Sequence, residues 1–113
     1  MANPLRSTRQ DQQMLSVSST TNSDPMDIGS TEGPISVQIA WKNASSVDMI
    51  ATLELSNDKE FWVPLTAQQR VIDSDTSESH IWDLSTGVEY LRVNILVNGG
   101  SADFTIKLNG KSR

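Results

Sequence analysis

No cysteine occurs anywhere in the 113 residues, so neither a disulfide framework nor a thiolate metal site can be built. The redox character of the compartment is therefore not written in the chain. Long apolar runs are missing too. Nothing approaches the roughly 20 residues that a bilayer-spanning helix needs. The opening "MANPLRSTRQDQQMLSVSS" carries Arg6 and Arg9 with no apolar segment behind them, unlike a secretory signal. The expectation is a soluble product made in the cytoplasm without a signal peptide, with no membrane partner. Positive charge is in deficit: 9 basic against 14 acidic residues leave a formal net charge of −5. Phosphate backbones need a basic face, so nucleic acid is not expected as a main partner. Histidine occurs once, at His80, and "NGGS" opens no helix that could cradle a phosphate. No stretch has helical periodicity.

What is present falls into two compositions. Residues 1–33 are dominated by Ser, Thr, Asn, Gln, Asp and Pro, with "SSTTNSDPMDIGSTEGP" dense in turn formers. Their sparse apolar side chains, Leu5, Met14, Leu15, Val17, Met26 and Ile28, cannot bury enough surface to offset the ordering entropy. This segment is expected to be an extended N-terminal arm, with "QMLSVSST" able to add one strand at a sheet edge. Removing it is expected to leave a folded domain at 34–113.

From Pro34 onward the period becomes two. "ISVQIAW" puts Ile35, Val37, Ile39 and Trp41 on one face, and "VDMIATLEL" aligns Val47, Met49, Ala51, Leu53 and Leu55. "YLRVNILV" aligns Leu91, Val93, Ile95 and Val97, and "DFTIKL" aligns Phe104, Ile106 and Leu108. Each pattern describes an antiparallel strand with one face in a core and one in water. Shorter candidates are "FWVPL", "QRVID" and "SHIWDL", and "KNASS", "SNDKE", "DSDTSE", "STG" and "NGGSA" carry turn chemistry. Seven or eight short strands at this spacing predict an all-β, two-sheet antiparallel β-sandwich, jelly-roll-like in kind.

Within "LELSNDKEFWVPL", Leu53 and Leu55 point inward, and Ser56–Glu60 read as a hairpin loop with Asn or Asp in the left-handed position. Trp62 is expected to close the end of the sandwich as core, with Phe61 turned away from it and Pro64 marking an edge or a bend. These residues also carry a resemblance. "LELSND" followed by Trp62, then "YLRVNI", then "SADFTIKLNGK" is similar to small β-sandwich virion structural proteins of bacteriophages. In that family an apolar strand leads to a Ser-Asn-Asp-Gly turn and a Trp, then a Tyr-(aromatic or Leu)-Arg-Val strand and a Gly-rich hairpin into the last strand. The resemblance covers about residues 34–111, with "SVQIAW" as the first strand, and it departs at Lys59, where the family has Gly. It implies a non-catalytic role in or on a particle.

Chemistry by side chains is poorly supported. Ser79, His80, Asp83 and Ser85 are close in sequence, but alternation along a strand puts His80 and Asp83 on opposite faces, and no Gly-x-Ser-x-Gly elbow exists. Glu54, Asp58, Glu60 and Glu89 include no pair marked for glycoside chemistry. Asp73, Asp75 and Glu78 offer the hard oxygen ligands calcium prefers, but the glycine and terminal glutamate of a calcium loop are absent, so a solvated acidic loop is expected and no cofactor. Glycan binding is the rival reading. Exposed aromatics would carry it, with Phe61 and Tyr90 first because they face away from the core.

The expected function is thus a non-enzymatic minor capsid, decoration or vertex-associated protein of a phage virion. Its arm, through Leu5, Arg6, Arg9, Met14, Leu15 and Val17, would dock on other virion subunits, with homo-oligomers inside the particle. A cationic tip on an acidic body suits such docking. The alternative is a carbohydrate-binding module of a spike or tail.

Overall fold

A β-branched or aromatic residue at every second position favours extended backbone, and in this chain the pattern is sustained long enough to build two exceptional strands. The computed structural model describes residues 6–112. Its elements are β1 (Arg6–Val17), β2 (Thr21–Asn22), β3 (Met26–Asp27), β4 (Thr31–Ser56), β5 (Val63–Pro64), a 3₁₀ turn η1 (Thr66–Gln68), β6 (Arg70–Ile72), β7 (Glu78–Leu84) and β8 (Tyr90–Ser112). β4 has 26 residues and β8 has 23, against the usual 3–10. They pair with each other antiparallel, from Thr31↔Ser112 to Ser56↔Tyr90.

Strands of that length cannot stay in one small layer, and here both crease and pass from one sheet into the other. In the first sheet β1 pairs with residues 102–112 of β8, these with residues 31–42 of β4, and these with β7. In the second, β2 and β3 pair with residues 90–97 of β8, these with residues 49–56 of β4, and these with β5 and β6. That folded-over order is a jelly roll, so the all-β sandwich expected from the period-two pattern is what the chain forms.

The crease corrects one local expectation. "KNASS" and "NGGSA" are not hairpin turns; they are bulged bends inside continuous strands. Register shifts fall between Lys42 and Met49, and Asn43, Ser46 and Gly100 have φ of 54°, 52° and 79°. One extra residue in a strand bends and twists it, which is what turning a corner between layers requires.

The core lies between the sheets. Ile35, Val37, Ile39 and Trp41 of β4 meet Ala102, Phe104, Ile106 and Leu108 of β8 on one side. Met49, Ala51 and Leu53 with Leu91, Val93 and Ile95 line the other. Each Val, Leu, Ile, Met or Phe among them contributes roughly 1.5–3 kcal/mol by leaving water, and the two alanines less.

The N-terminal stretch also differs from expectation. It is extended, but residues 6–28 are paired along β8, and Val17, Met26 and Ile28 are buried members of the core. The polar inward face of β1 has its own task. Gln10 Nε2 donates to the Asp27 carbonyl (2.8 Å), Gln12 Nε2 donates to the Asp24 carbonyl (3.1 Å), and Gln12 Oε1 accepts from Asp24 N–H (3.0 Å). The edges of the two sheets are thereby laced together by amides where a longer strand pair would use apolar contacts.

Candidate functional site

The end of the sandwich opposite the crease carries the loop 57–62. Ser56 Oγ accepts from Asp58 and Lys59 N–H, and Asp58 Oδ1 accepts from Glu60 N–H (2.9 Å) and Phe61 N–H (3.0 Å). The left-handed position belongs to Lys59, φ 65°, and not to Asn57 or Asp58 as the sequence suggested. From that position Lys59 Nζ sits 4.7 Å from the Tyr90 ring centroid. The loop closes on its neighbour through Asn57 Oδ1, which accepts from Glu89 N–H.

Trp62 is not core. Its Nε1–H donates to the Lys59 carbonyl (3.1 Å), and its half-buried ring stacks on the Arg92 guanidinium, 4.2 Å from Cζ. Arg92 Nε in turn donates to Glu54 Oε1 at 2.7 Å, both side chains at most 22% exposed. Arg92 and Glu54 project from the outer face of the second sheet, so Trp62 roofs an ion pair. The alternation could not show this, because a side chain in the first residues after a turn is free of the strand's parity. Trp62→Ala should therefore cost about 1–2 kcal/mol, the scale of a cation–π contact with some buried area, and not the 3–5 of a core tryptophan. Thermal melting checks it, and the variant's stability should become more salt-sensitive as the ion pair opens to water.

Phe61 is 76% exposed and, with the exposed Val63 and the half-buried Leu55 and Val88, lines an open groove of about 430 Å³. Tyr90 is half-buried, covered by Lys59, and does not line that groove. The two glycan candidates thus do not form one platform.

The acidic loop does not gather into a cation site. Asp75 Oδ1 accepts from Val47 N–H (3.1 Å), bracing the crease, and Glu78 pairs with Arg70 at 3.2 Å. Asp73 joins neither, and no group of three or more potential ligands occurs among the described residues. His80 packs edge-on to Trp82 at 4.9 Å, and burial, then Arg70, hold its pKa below the usual imidazole value. Asp83 lies on the opposite face of β7, so no nucleophilic site forms around His80.

Of the arm residues singled out for docking, Leu5 lies outside the described residues, and Arg6 is in register with Ser112. Met14 packs against the core and Val17 belongs to it, so both serve the chain's own fold. Leu15 is 66% exposed, beside a bulge where Ser16 takes φ 52°. Arg9 and Asp11 lie on the outer face of β1, 3.7 Å apart and 62% and 50% exposed.

Two other carboxylates hold bends in place. Asp103 accepts from Asn43 Nδ2 (2.8 Å) and Ser16 N–H (2.7 Å), joining the bulge of β1 to the crease of β4. These donors, Asn43 first, hold its carboxyl below the usual carboxylate range, and the Phe61, Glu60 and Ser56 donors do the same for Asp58. A depressed carboxylate stabilises the fold above the unfolded-state value near pH 4, and that contribution disappears as pH falls through the lower folded-state value. Acid titration followed by circular dichroism should show stability falling below about pH 4. In Asp58→Asn and Asp103→Asn that acid limb should be shallower.

No protein-family model matches the chain, and no curated protein matches its sequence. Solved structures do share its fold. A chain of the Bacillus endospore appendages, described as a novel family of disulfide-linked pili, aligns with TM-score 0.56 at 8% identity, over 96% of this chain and 89% of that one. Dimeric latent PorU from Porphyromonas gingivalis aligns with TM-score 0.59 at 10% identity, over 96% of this chain but only 13% of its own length. PirA aligns with TM-score 0.53 at 16% identity, over 89% of this chain and 92% of that one. At such identities the likeness is one of fold.

Proposed function

We propose that the chain is a non-enzymatic structural subunit of an assembled particle, a minor capsid, decoration or vertex-associated protein of a phage virion. The observation that carries the reading is how the jelly roll is filled. Its own apolar side chains occupy the space between the sheets, while the catalytic and metal candidates are scattered or already engaged. What remains for partners is faces and edges, the surfaces by which subunits assemble. The sequence resemblance to phage β-sandwich proteins supports the same role, and an appendage subunit has the same fold nearly end to end. Mass spectrometry of purified phage particles tests it. A subunit of the shell or its decoration is present in many copies per particle, and absence from the particle overturns the reading.

A second reading, glycan binding in host attachment, is favoured by one observation, the exposed Phe61 beside its open groove. Glycan-array binding that Phe61→Ala abolishes, with unchanged melting, would select it.

A further inference from the structure

We infer that β1 is a self-complementary edge, and that a second copy of this chain adds to it antiparallel, joining the two first sheets into one. β1 is the terminal strand of its sheet, and among the described residues it pairs with β8 alone. Long open edges are normally guarded by proline, by a bulge within the pairing stretch, by charged side chains or by shortness. Arg6–Met14 has only charge: it is nine residues in unbroken register with β8, without proline, and the bulge comes only after Met14.

The charges on this edge are placed to choose a partner. The regular stretch 6–14 has Gln10 at its centre, and a two-fold axis there sets residue 9 of one copy opposite residue 11 of the other. Arg9 of each copy then faces Asp11 of the second copy, twice by symmetry. Both side chains are exposed on the same outer face, and Asp11 is already flanked within its own sheet by Lys107, its register partner on β8. The joined sheet thus carries an alternating row, Lys107–Asp11–Arg9–Asn109, across the interface from either side. Opposite charges directly across strands stabilise a pair and like charges oppose it. A strand presenting a different sequence would meet Arg9 and Asp11 without their complements, so the charges that discourage other edges select this one.

This inference rests on the reading of the chain as an assembly subunit and adds the surface and partner. Sedimentation velocity of the full chain across a concentration series should show a reversible dimer that weakens as salt is raised. Asp11→Arg alone, or Arg9→Asp alone, puts like charges opposite each other at both symmetric positions, and each should weaken association at least about tenfold. An equimolar mixture of the two variants should recover it, as should the double reversal R9D/D11R, because residues 9 and 11 are again complementary. Melting of each variant confirms that it is folded, and the milder Asp11→Asn should leave a dimer with reduced salt dependence. A wild-type chain that stays monomeric throughout overturns the inference. So does a dimer indifferent to the single reversals, which would move the interface elsewhere while leaving the assembly role to the particle measurement.

Discussion

A chain lacking residues 1–28 should not unfold cooperatively. The truncation removes β1, β2 and β3, and with them every neighbour that β8 has on the side away from β4. Val17, Met26 and Ile28 leave the core, a loss of about 5–9 kcal/mol at the usual value of a buried aliphatic side chain. That is of the order of a whole domain's stability, about 5–15 kcal/mol. Phe104, Ile106, Leu108, Leu91, Val93 and Ile95, all fully buried in the intact chain, would gain access to water along one side. Thermal melting should lose its sigmoid, and a dye that reports exposed apolar surface should bind. A truncated protein melting within a few degrees of the full chain would make the N-terminal strands accessory. In the full chain, trypsin should cut slowly after Arg9, since a paired strand lacks the extended freedom a protease requires.

Gly100→Ala should cost about 2–5 kcal/mol, adding the left-handed strain of a non-glycine residue to a backbone collision. Gly100 has φ 79°, and a Cβ there would strike the carbonyl oxygens of Ser45 and Ser46. The atoms struck are backbone, the Cβ is fixed rigidly to backbone, and both belong to the crease, so neither can yield without shifting β4 against β8. Gly87 provides the contrast: nothing lies within 4 Å of a Cβ built there, and Gly87→Ala should melt like the parent. Equal melting of the two variants would show that the crease is not rigid.

The inward faces were legible in the sequence because alternation is a direct consequence of the pleat. Ile35 to Trp41, Met49 to Leu53, Leu91 to Ile95 and Phe104 to Leu108 all face the core as their spacing predicts. The crease was not legible, since Asn, Ser and Gly are wanted equally by a hairpin turn and by a bulge inside a strand. The N-terminal strands were hidden for another reason. Gln10 and Gln12 face inward but make hydrogen bonds to backbone, so β1 shows no apolar period, and a corner of polar residues separates Val17 from the short alternating pair Met26 and Ile28. The role of Trp62 was not legible because its partner, the Arg92–Glu54 pair, is assembled from two strands distant in sequence.

The placement of β8 has a consequence in time. It follows in the chain every strand it pairs with, and it is the neighbour of β1, β2, β3 and β4. Until Tyr90–Ser112 has been synthesised, β4 has only β5, β6 and β7 to pair with, and neither sheet has its centre. Closing the register from Arg6 to Ser112 brings together residues from opposite ends of the described chain, a loop whose entropy must be spent before its contacts form. Refolding should accordingly be slow for the chain's size, in the range of about milliseconds to seconds. On the ribosome, apolar faces of β4 and β7 wait uncovered for their last partner, so the interval before β8 emerges is when the chain is most exposed to pairing with the wrong strand.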